Sequence, residues 1–426
     1  MEQLRIRGGR KLNGSLSVQG AKNSVLPIMA ASLLNRGITI IHNCPKLRDV
    51  DVSIRILEYL GCRTQRDGNR VMIDSGGMNR SDIPDKLMRE MRSSVVFLGA
   101  ILARAGRASL SMPGGCELGP RPVDLHLSAI REFGGDVEDS SGQISVKLNR
   151  SCDALASRHI AFPISSVGAT ENAMLLACLT PGTTSITNPA REPEISDLQG
   201  FLRKLGIRIS GAGTGIITIE GQPEIDSGLV EHRIIPDRIV TATYLSAAAS
   251  AGGHIELTDV NAEHLEPVIG SLREMGCEIE IKRGGGSIEI TRSRPLHAAR
   301  PISTKPYPGF PTDAQPPLMA ACLMAQGTTV FIENIFENRY RHLDEFKRLG
   351  ADVFTEGKIA IICGVSRLTG AEMQATDLRG GAALVAAALG AEGESNVGIL
   401  HHIERGYERI DLALKALGAD IELVDV

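Results

Sequence analysis

Lys347-Arg-Leu-Gly-Ala351 and Lys415-Ala-Leu-Gly-Ala419 are two copies of one short pattern, the end of an amphipathic stretch followed by a glycine. Four more copies precede them: Glu58-Tyr-Leu-Gly-Cys62, Glu132-Phe-Gly-Gly-Asp136, Arg203-Lys-Leu-Gly-Ile207 and Arg273-Glu-Met-Gly-Cys277. With Gly61, Gly135, Gly206, Gly276, Gly350 and Gly418 as markers, the intervals are 74, 71, 70, 74 and 68 residues. A glycine in that place takes the left-handed conformation that ends a helix without a Cβ penalty. So even a series therefore marks a repeated unit.

After each of the first five markers come two short alternating segments around a polar turn, as in Cys62 to Gln65 and Val71 to Asp74, which read as a β-hairpin. Upstream of each marker lies a second helix rich in small residues, such as Leu26 to Leu34 and Ala242 to Ala251. Most of these lead into a strand through a glycine: Gly37, Gly106, Gly182, Gly253, Gly327 or Gly393. The unit is thus βαβαββ. One copy alone would expose an apolar face, so copies pack together, and three per globular half is the natural grouping.

The last copy stops after one strand, Asp420 to Val424, while the N-terminus offers strand-like segments at Gln3 to Arg7 and Ser15 to Gln19. The N-terminus is expected to complete the final unit. That makes one domain of residues 1–21 with 230–426 and another of 22–229 carrying the Cys116 loop, crossed near Ala21 and in the Gly221 to Glu231 linker. Two crossings suggest a hinge.

At 426 residues, 42% hydrophobic and 23% charged, the chain can bury large cores. A net charge of −4 provides no global basic field for nucleic acid or anionic membrane, so neither is an expected partner. Met1 to Arg7 lacks the apolar core of a signal peptide, and the longest small apolar run, Ala382 to Ala391, is too short to span a bilayer. A cytoplasmic protein is expected. Eight cysteines, at 44, 62, 116, 152, 178, 277, 322 and 363, form no Cys-x-x-Cys pair and no zinc-like cluster, so no metal is expected.

Polar residues gather just before the small-residue helices: Lys22-Asn23, Arg92-Ser93-Ser94, Ser165-Ser166, Asp237-Arg238, Thr312-Asp313 and Asp377-Leu378-Arg379. Helix N-termini present unpaired N–H groups and a positive dipole end, so this arrangement favours phosphate and carboxylate ligands. Ser, Thr and Asp there are also ordinary N-caps. Capping does not account for Lys22, Arg92 or Arg379. Asp313 could cap its helix or act as a general base, and spacing does not separate the two.

The stretch Met112-Pro-Gly-Gly-Cys-Glu-Leu-Gly-Pro-Arg-Pro122 forbids regular structure and reads as a mobile lid. Free cysteines are usually small buried hydrophobes. Cys116 differs, because its loop is polar and Arg121 is close enough to favour the reactive thiolate if the loop folds back.

Gly20-Ala-Lys-Asn23, Pro113-Gly-Gly-Cys-Glu-Leu-Gly-Pro-Arg-Pro-Val-Asp-Leu-His126, Phe310-Pro-Thr-Asp313, Ala375-Thr-Asp-Leu-Arg379 and Arg405-Gly-Tyr-Glu-Arg409 together resemble the UDP-N-acetylglucosamine enolpyruvyl transferases (1-carboxyvinyltransferases) of the EPSP synthase family. Ala190-Arg-Glu-Pro-Glu-Ile195, Pro236-Asp-Arg-Ile239 and Phe336-Glu-Asn-Arg339 extend the likeness through the chain. It implies an α/β fold of two inside-out α/β barrel domains, each of three βαβαββ units, with the active site in the cleft between them.

The resemblance further implies transfer of the enolpyruvyl group of phosphoenolpyruvate to the 3′-hydroxyl of UDP-N-acetylglucosamine, without metal or organic cofactor. Lys22 and Asn23 would contact phosphoenolpyruvate, and Arg121 and Arg405 would hold its phosphate or carboxylate. Arg92 and the stretch Arg121, Pro122, Val123, Asp124 and Leu125 would line the UDP-sugar site. Ser166, Val167 and Gly168 would hold the uridine end, and Ile335 would also touch substrate. Asp313 would be the base. Cys116 would supply the C3 proton or carry phosphoenolpyruvate covalently, and an epoxide phosphonate such as fosfomycin would alkylate it. Asp377 and Arg379 would complete the charged site, with Arg379 neutralising developing charge. Three positions depart from the family pattern: Ile164 where some members carry Lys, Val240 where many have Glu, and Gly380 where Ala is common. Two other readings stand beside this one, an enolpyruvylshikimate phosphate synthase and a non-catalytic paralogue that binds nucleotide sugar.

Overall fold

The computed structural model describes residues 2–111, 123–140, 142–149, 157–282 and 284–425. Six four-stranded sheets are built to one plan. In the second, Asp82–Ile83 runs parallel to Arg107–Ser111, which pairs antiparallel with Gln143–Leu148, which pairs in turn with Gly135–Ser140. In each sheet the first two strands of this order run parallel, joined by a helix where both come from one stretch of chain, and the last two are antiparallel, a hairpin in every sheet but the sixth.

Three sheets borrow strands from distant sequence. Leu229–Arg233 runs parallel to Ile38–His42 and opens the first sheet. Leu12–Ser17 runs parallel to Gly253–Thr258 and opens the fourth. Glu2–Arg7 lies between Glu394–Gly398 and Asp420–Asp425, antiparallel to both, and completes the sixth. So only the first N-terminal strand finishes the last unit. The second begins earlier than the expected Ser15 and serves a different sheet.

By contacts the described chain divides into residues 2–19 with 236–425, and residues 20–235. The second crossing falls at 235/236, later than the expected linker, because Leu229–Arg233 belongs to the first sheet and Ala21 N–H donates to Ile235 O at 2.8 Å.

Each unit has its own hydrophobic core. Within each, the small-residue helices lie inside. In Arg238–Ala251, 13 of 14 residues are buried, as expected for a helix apolar on every side. Alanine and glycine there permit close approach: a Cβ on Gly390 would stand 2.7 Å from Ser250 Oγ. The helices that end in the marker glycines are amphipathic and lie outside, as Arg48–Tyr59 and Pro193–Lys204 illustrate. Among the described residues, no helix is long and apolar enough to cross a membrane.

Five of the six marker glycines have positive φ, between 85° and 104°. The second repeat differs. Gly134 takes the left-handed turn at φ 76°, and Gly135 is the first residue of the next strand, where a Cβ would meet Ile130 Cγ2 at 2.5 Å. A second left-handed series follows the second strand of four repeats, at Asn43, Asn188, Asp259 and Ile399. Asn and Asp tolerate that region; a β-branched Ile does not do so readily.

Candidate active site

In the unit containing residues 236–425, the inner-helix N-termini carry a buried charged cluster. Asp313 sits in a short 3₁₀ turn, Thr312–Ala314, ahead of the helix Gln315–Cys322. Its carboxylate accepts from Arg339 Nη2 at 2.9 Å and from Arg379 Nε at 3.4 Å. Arg339, 1% exposed, also donates twice to Thr312 O, at 2.8 and 3.2 Å. Glu333, equally buried, accepts from Thr312 Oγ1 at 2.9 Å and from the amides of Ile335 and Phe336 at 2.7 and 2.9 Å. Asp313 is thus held from both sides of its own turn.

Asp377 is a true cap, accepting from the amides of Arg379 and Gly380 at 3.0 Å each. Glycine suits position 380, because a Cβ there would lie 2.6 Å from Asp377 Oδ2. Asp237 caps its helix through the amides of Ile239 and Val240 in the same way.

The buried Arg379 guanidinium stands 5.2 Å from the Tyr407 ring centroid. Burial works against its charge, but Tyr407, Asp313 and Asp237 outweigh that and hold its proton more tightly than usual. The Tyr407 hydroxyl is bonded to Thr243 Oγ1 at 2.8 Å, and burial first of all pushes its pKa up. His342 is pushed down to about 4, mainly by burial. Nη1 of both Arg339 and Arg379 is buried without a hydrogen-bond partner among the described residues. Arg405 closes the turn Leu400–Arg405 and is partly exposed; Ile335 is exposed.

In the unit of residues 20–235, Lys22 opens the first inner helix, and its ammonium meets Asp49 Oδ2 at 2.7 Å with both side chains almost wholly buried. Asn23 beside it is partly exposed. Ser166 caps the helix Val167–Cys178 by accepting from Ala169 N–H at 3.4 Å. Asp124 and Leu125 begin the outer helix Asp124–Glu132, next to the buried Val123. His126 on that helix binds Asn172 Nδ2 through Nδ1 at 2.8 Å, and burial pushes its pKa down to about 4. Asn172 donates to Val95 O as well, at 3.0 Å. A Cβ at Gly168 would come within 2.9 Å of the His126 ring. Arg92 opens the 3₁₀ turn Arg92–Val96. Cys116, Arg121 and Pro122 lie outside the described residues.

Of the six described cysteines, five are buried and Cys363 is partly so. Burial pushes the thiols of Cys62 and Cys322 up to about 12, which suits inert core residues. The site features that sequence reasoning did not single out are Asp49, His126 with Asn172, Glu333, Arg339 and Tyr407. Arg339 and Tyr407 fall inside motifs quoted for the resemblance, so a search for buried charge within those motifs could have found Arg339.

The model of the family described as EPSP synthase (3-phosphoshikimate 1-carboxyvinyltransferase) matches residues 6–414. The chain is 48% identical over 421 residues to UDP-N-acetylglucosamine 1-carboxyvinyltransferase 2 of Caldanaerobacter subterraneus subsp. tengcongensis, covering 99% of each. It is 45% identical to UDP-N-acetylglucosamine 1-carboxyvinyltransferase 1 of Symbiobacterium thermophilum, covering 99% of this chain and 95% of that one. Among solved structures, the enolpyruvyl transferase NikO from Streptomyces tendae superposes with a TM-score of 0.88 at 26% identity, over 100% of this chain and 99% of that chain. EPSP synthase from Acinetobacter baumannii shares the fold, with a TM-score of 0.75 at 20% identity over the whole of both chains. The six-sheet architecture is therefore the enolpyruvyl transferase fold, and the chain belongs to the EPSP synthase family, among its UDP-N-acetylglucosamine 1-carboxyvinyltransferases.

Proposed function

We propose that this chain transfers the enolpyruvyl group of phosphoenolpyruvate to the 3′-hydroxyl of UDP-N-acetylglucosamine and releases phosphate, the first committed step toward peptidoglycan precursors. The observation that carries the reading is the Asp313 carboxylate held between the buried guanidinium groups of Arg339 and Arg379. It occurs in a chain that matches, over its full length, relatives named for that chemistry.

In the reaction the 3′-hydroxyl oxygen adds to C2 of phosphoenolpyruvate as its proton passes to Asp313, while C3 gains a proton and becomes a methyl group. The tetrahedral intermediate then loses a C3 proton and expels phosphate with the C2–O electron pair, which restores the enol ether. Asp313 is suited to the base because both its oxygens are oriented before substrate arrives, so no reorganisation is needed at the moment of transfer. The buried guanidinium groups of Arg339 and Arg379 supply the positive charge that a developing oxyanion requires.

Lys22, Asn23, Arg121 and Arg405 are assigned to phosphoenolpyruvate. Arg92, Arg121 to Leu125, Ser166 to Gly168 and Ile335 are assigned to the UDP-sugar, and Asp377 and Arg379 to charge neutralisation. Cys116 is assigned the C3 proton or a covalent phosphoenolpyruvate adduct, and the same thiol is the expected target of fosfomycin. Both substrates are multiply charged and do not cross bilayers unaided, which supports a reaction in the cytoplasm.

The test is phosphate release from phosphoenolpyruvate with UDP-N-acetylglucosamine or, separately, shikimate 3-phosphate, for wild type, Asp313→Ala and Cys116→Ala. Release with the UDP-sugar alone, lost in Asp313→Ala, is the expected result. Release only with shikimate phosphate assigns the sister activity, and none with either overturns the reading.

A further inference from the structure

We propose that Gln19 is a positioning residue that sets the Arg405 turn. This rests on the reading of Arg405 as a phosphoenolpyruvate ligand. Gln19 is the last residue of its unit's N-terminal segment. Its carbonyl accepts from Asp237 N–H at 2.9 Å, tying it to the residue that caps the inner helix Arg238–Ala251. Its side-chain amide then reaches the other way. Nε2 donates to Gly406 O at 3.2 Å, and Oε1 accepts from Glu408 N–H at 2.8 Å. One primary amide therefore clasps the main chain on both sides of Tyr407, as a neighbouring strand would.

The clasped segment needs such an external hold. The turn Leu400–Arg405 begins after Ile399, left-handed at φ 59°, and the stretch ends at Arg409, left-handed at φ 46°. Neither residue type favours that region. Within the turn, the amides of Gly406 and Tyr407 both donate to Ile403 O, at 3.0 and 3.1 Å, which orients Arg405 relative to Gly406. Fixing Gly406 O and Glu408 N–H thereby fixes the backbone from which Arg405 projects. Tyr407, between the two bonds, meets Arg379 and Thr243. The same clasp thus bears on two guanidinium groups, that of Arg405 through its backbone and that of Arg379 through the Tyr407 ring.

The chemistry requires a primary amide of this length. Asparagine is one methylene shorter, glutamate accepts from Glu408 N–H but cannot donate to Gly406 O when ionised, and leucine has the size without either bond.

The experiment uses the full chain with Gln19→Leu and Gln19→Glu, phosphate release with each substrate varied in turn, and hydrogen exchange of the peptide containing residues 403–410. Gln19→Leu is expected to raise KM for phosphoenolpyruvate by roughly tenfold, with KM for the UDP-sugar changed less than about twofold. Exchange at Glu408 is expected to rise in the same variant. Gln19→Glu, which keeps one bond of the two, falls between wild type and Gln19→Leu. In an Arg405→Lys background, Gln19→Leu adds little further change, because its effect runs through Arg405. Unchanged exchange overturns the clasp. Raised exchange with an unchanged KM for phosphoenolpyruvate overturns the positioning role, and an undiminished effect in the Arg405→Lys background overturns the route. If wild type fails to turn over this substrate pair, the functional reading falls instead, and the exchange result still decides the clasp.

Discussion

Lowering the pH from 7.5 to 5.0 is expected to remove about 2 kcal/mol of stability from the unit of residues 20–235 through His126 alone. Burial moves this histidine from an ordinary value of 6.5 to about 4 in the folded chain. A folded pKa below the unfolded one means that the unfolded chain binds more protons between those values, so stability is full above pH 6.5 and falls as pH drops toward 4. The full shift corresponds to about 3.4 kcal/mol, of which about 2 is lost by pH 5.0.

The matched control is His126→Gln, a neutral side chain that can still accept from Asn172 Nδ2. Urea unfolding of both proteins at both pH values, followed by hydrogen exchange in the helices Lys22–Ala31 and Phe97–Ala105, isolates this unit. Other titrations are common to the two proteins and cancel in the difference. Among them is Glu171, whose carboxyl is raised well above the usual range by burial and by Glu194 and Glu192 and so acts in the opposite direction. Wild type is expected to lose about 2 kcal/mol more than the variant. A difference below about 0.5 kcal/mol would refute the claim that this ring is held neutral.

Three further outcomes follow from distances already given. Gly168→Ala places a Cβ against the His126 ring, and is expected to cost about 2 kcal/mol, a melting shift of roughly 4–8 °C read by calorimetry, partly relieved by adding His126→Ala. Asp49→Ala removes the carboxylate 2.7 Å from the buried Lys22 ammonium, and a urea midpoint is expected to show a loss of about 3 kcal/mol; a loss under about 1 kcal/mol would mean the pair is not structurally important. Tyr407→Phe deletes the hydroxyl bonded to Thr243 and is expected to cost about 1 kcal/mol. In a cycle with Thr243→Val the two losses are expected to be non-additive, and strict additivity would deny the bond.

The repeat was legible because its signal is local. A helix ending in a left-handed glycine needs only the residues around it, so Gly61, Gly206, Gly276, Gly350 and Gly418 could be read one at a time. In Phe133-Gly134-Gly135, two adjacent glycines satisfy different demands, a turn at the first and room against Ile130 at the second, and composition alone does not order them. Strand exchange was only half legible. That Glu2–Arg7 completes the last sheet could be inferred from a missing strand, but Leu229–Arg233 lay in what reads as a linker because its pairing partner is Ile38–His42.

At the site, the polar residues ahead of the inner helices were legible as a class, while their partners were not. Lys22 and Asp49, Asp313 and Arg339, and His126 and Asn172 lie too far apart in sequence for any helical or strand period to connect them. The question of whether Asp313 is a cap was likewise open in the sequence, since Asp237 and Asp377 do cap and occupy equivalent places. The structure adds the two arginines, Arg339 and Arg379, that donate to the Asp313 carboxylate.

The borrowed strands also set an order of birth. Residues 20–235 contain every strand of their three sheets, so that unit can close while the rest of the chain is still on the ribosome. Glu2–Arg7 emerges first yet pairs with Asp420–Asp425, which emerges last. At about 5–20 residues per second, the roughly 190 residues after position 235 take some 10–40 s, during which Glu2–Arg7 has no complete sheet to join, whereas Leu12–Ser17 waits only until Ser287–Arg292 is made. An unpaired strand held open that long invites association with other nascent chains. Arg5, Arg7, Arg10 and Lys11 give this segment the positive charge that discourages such pairing, and the same arginines later meet Glu394, Glu422 and Asp420 when the last sheet forms. The last strand, Asp420–Asp425, is therefore what seals Glu2–Arg7 into the fold.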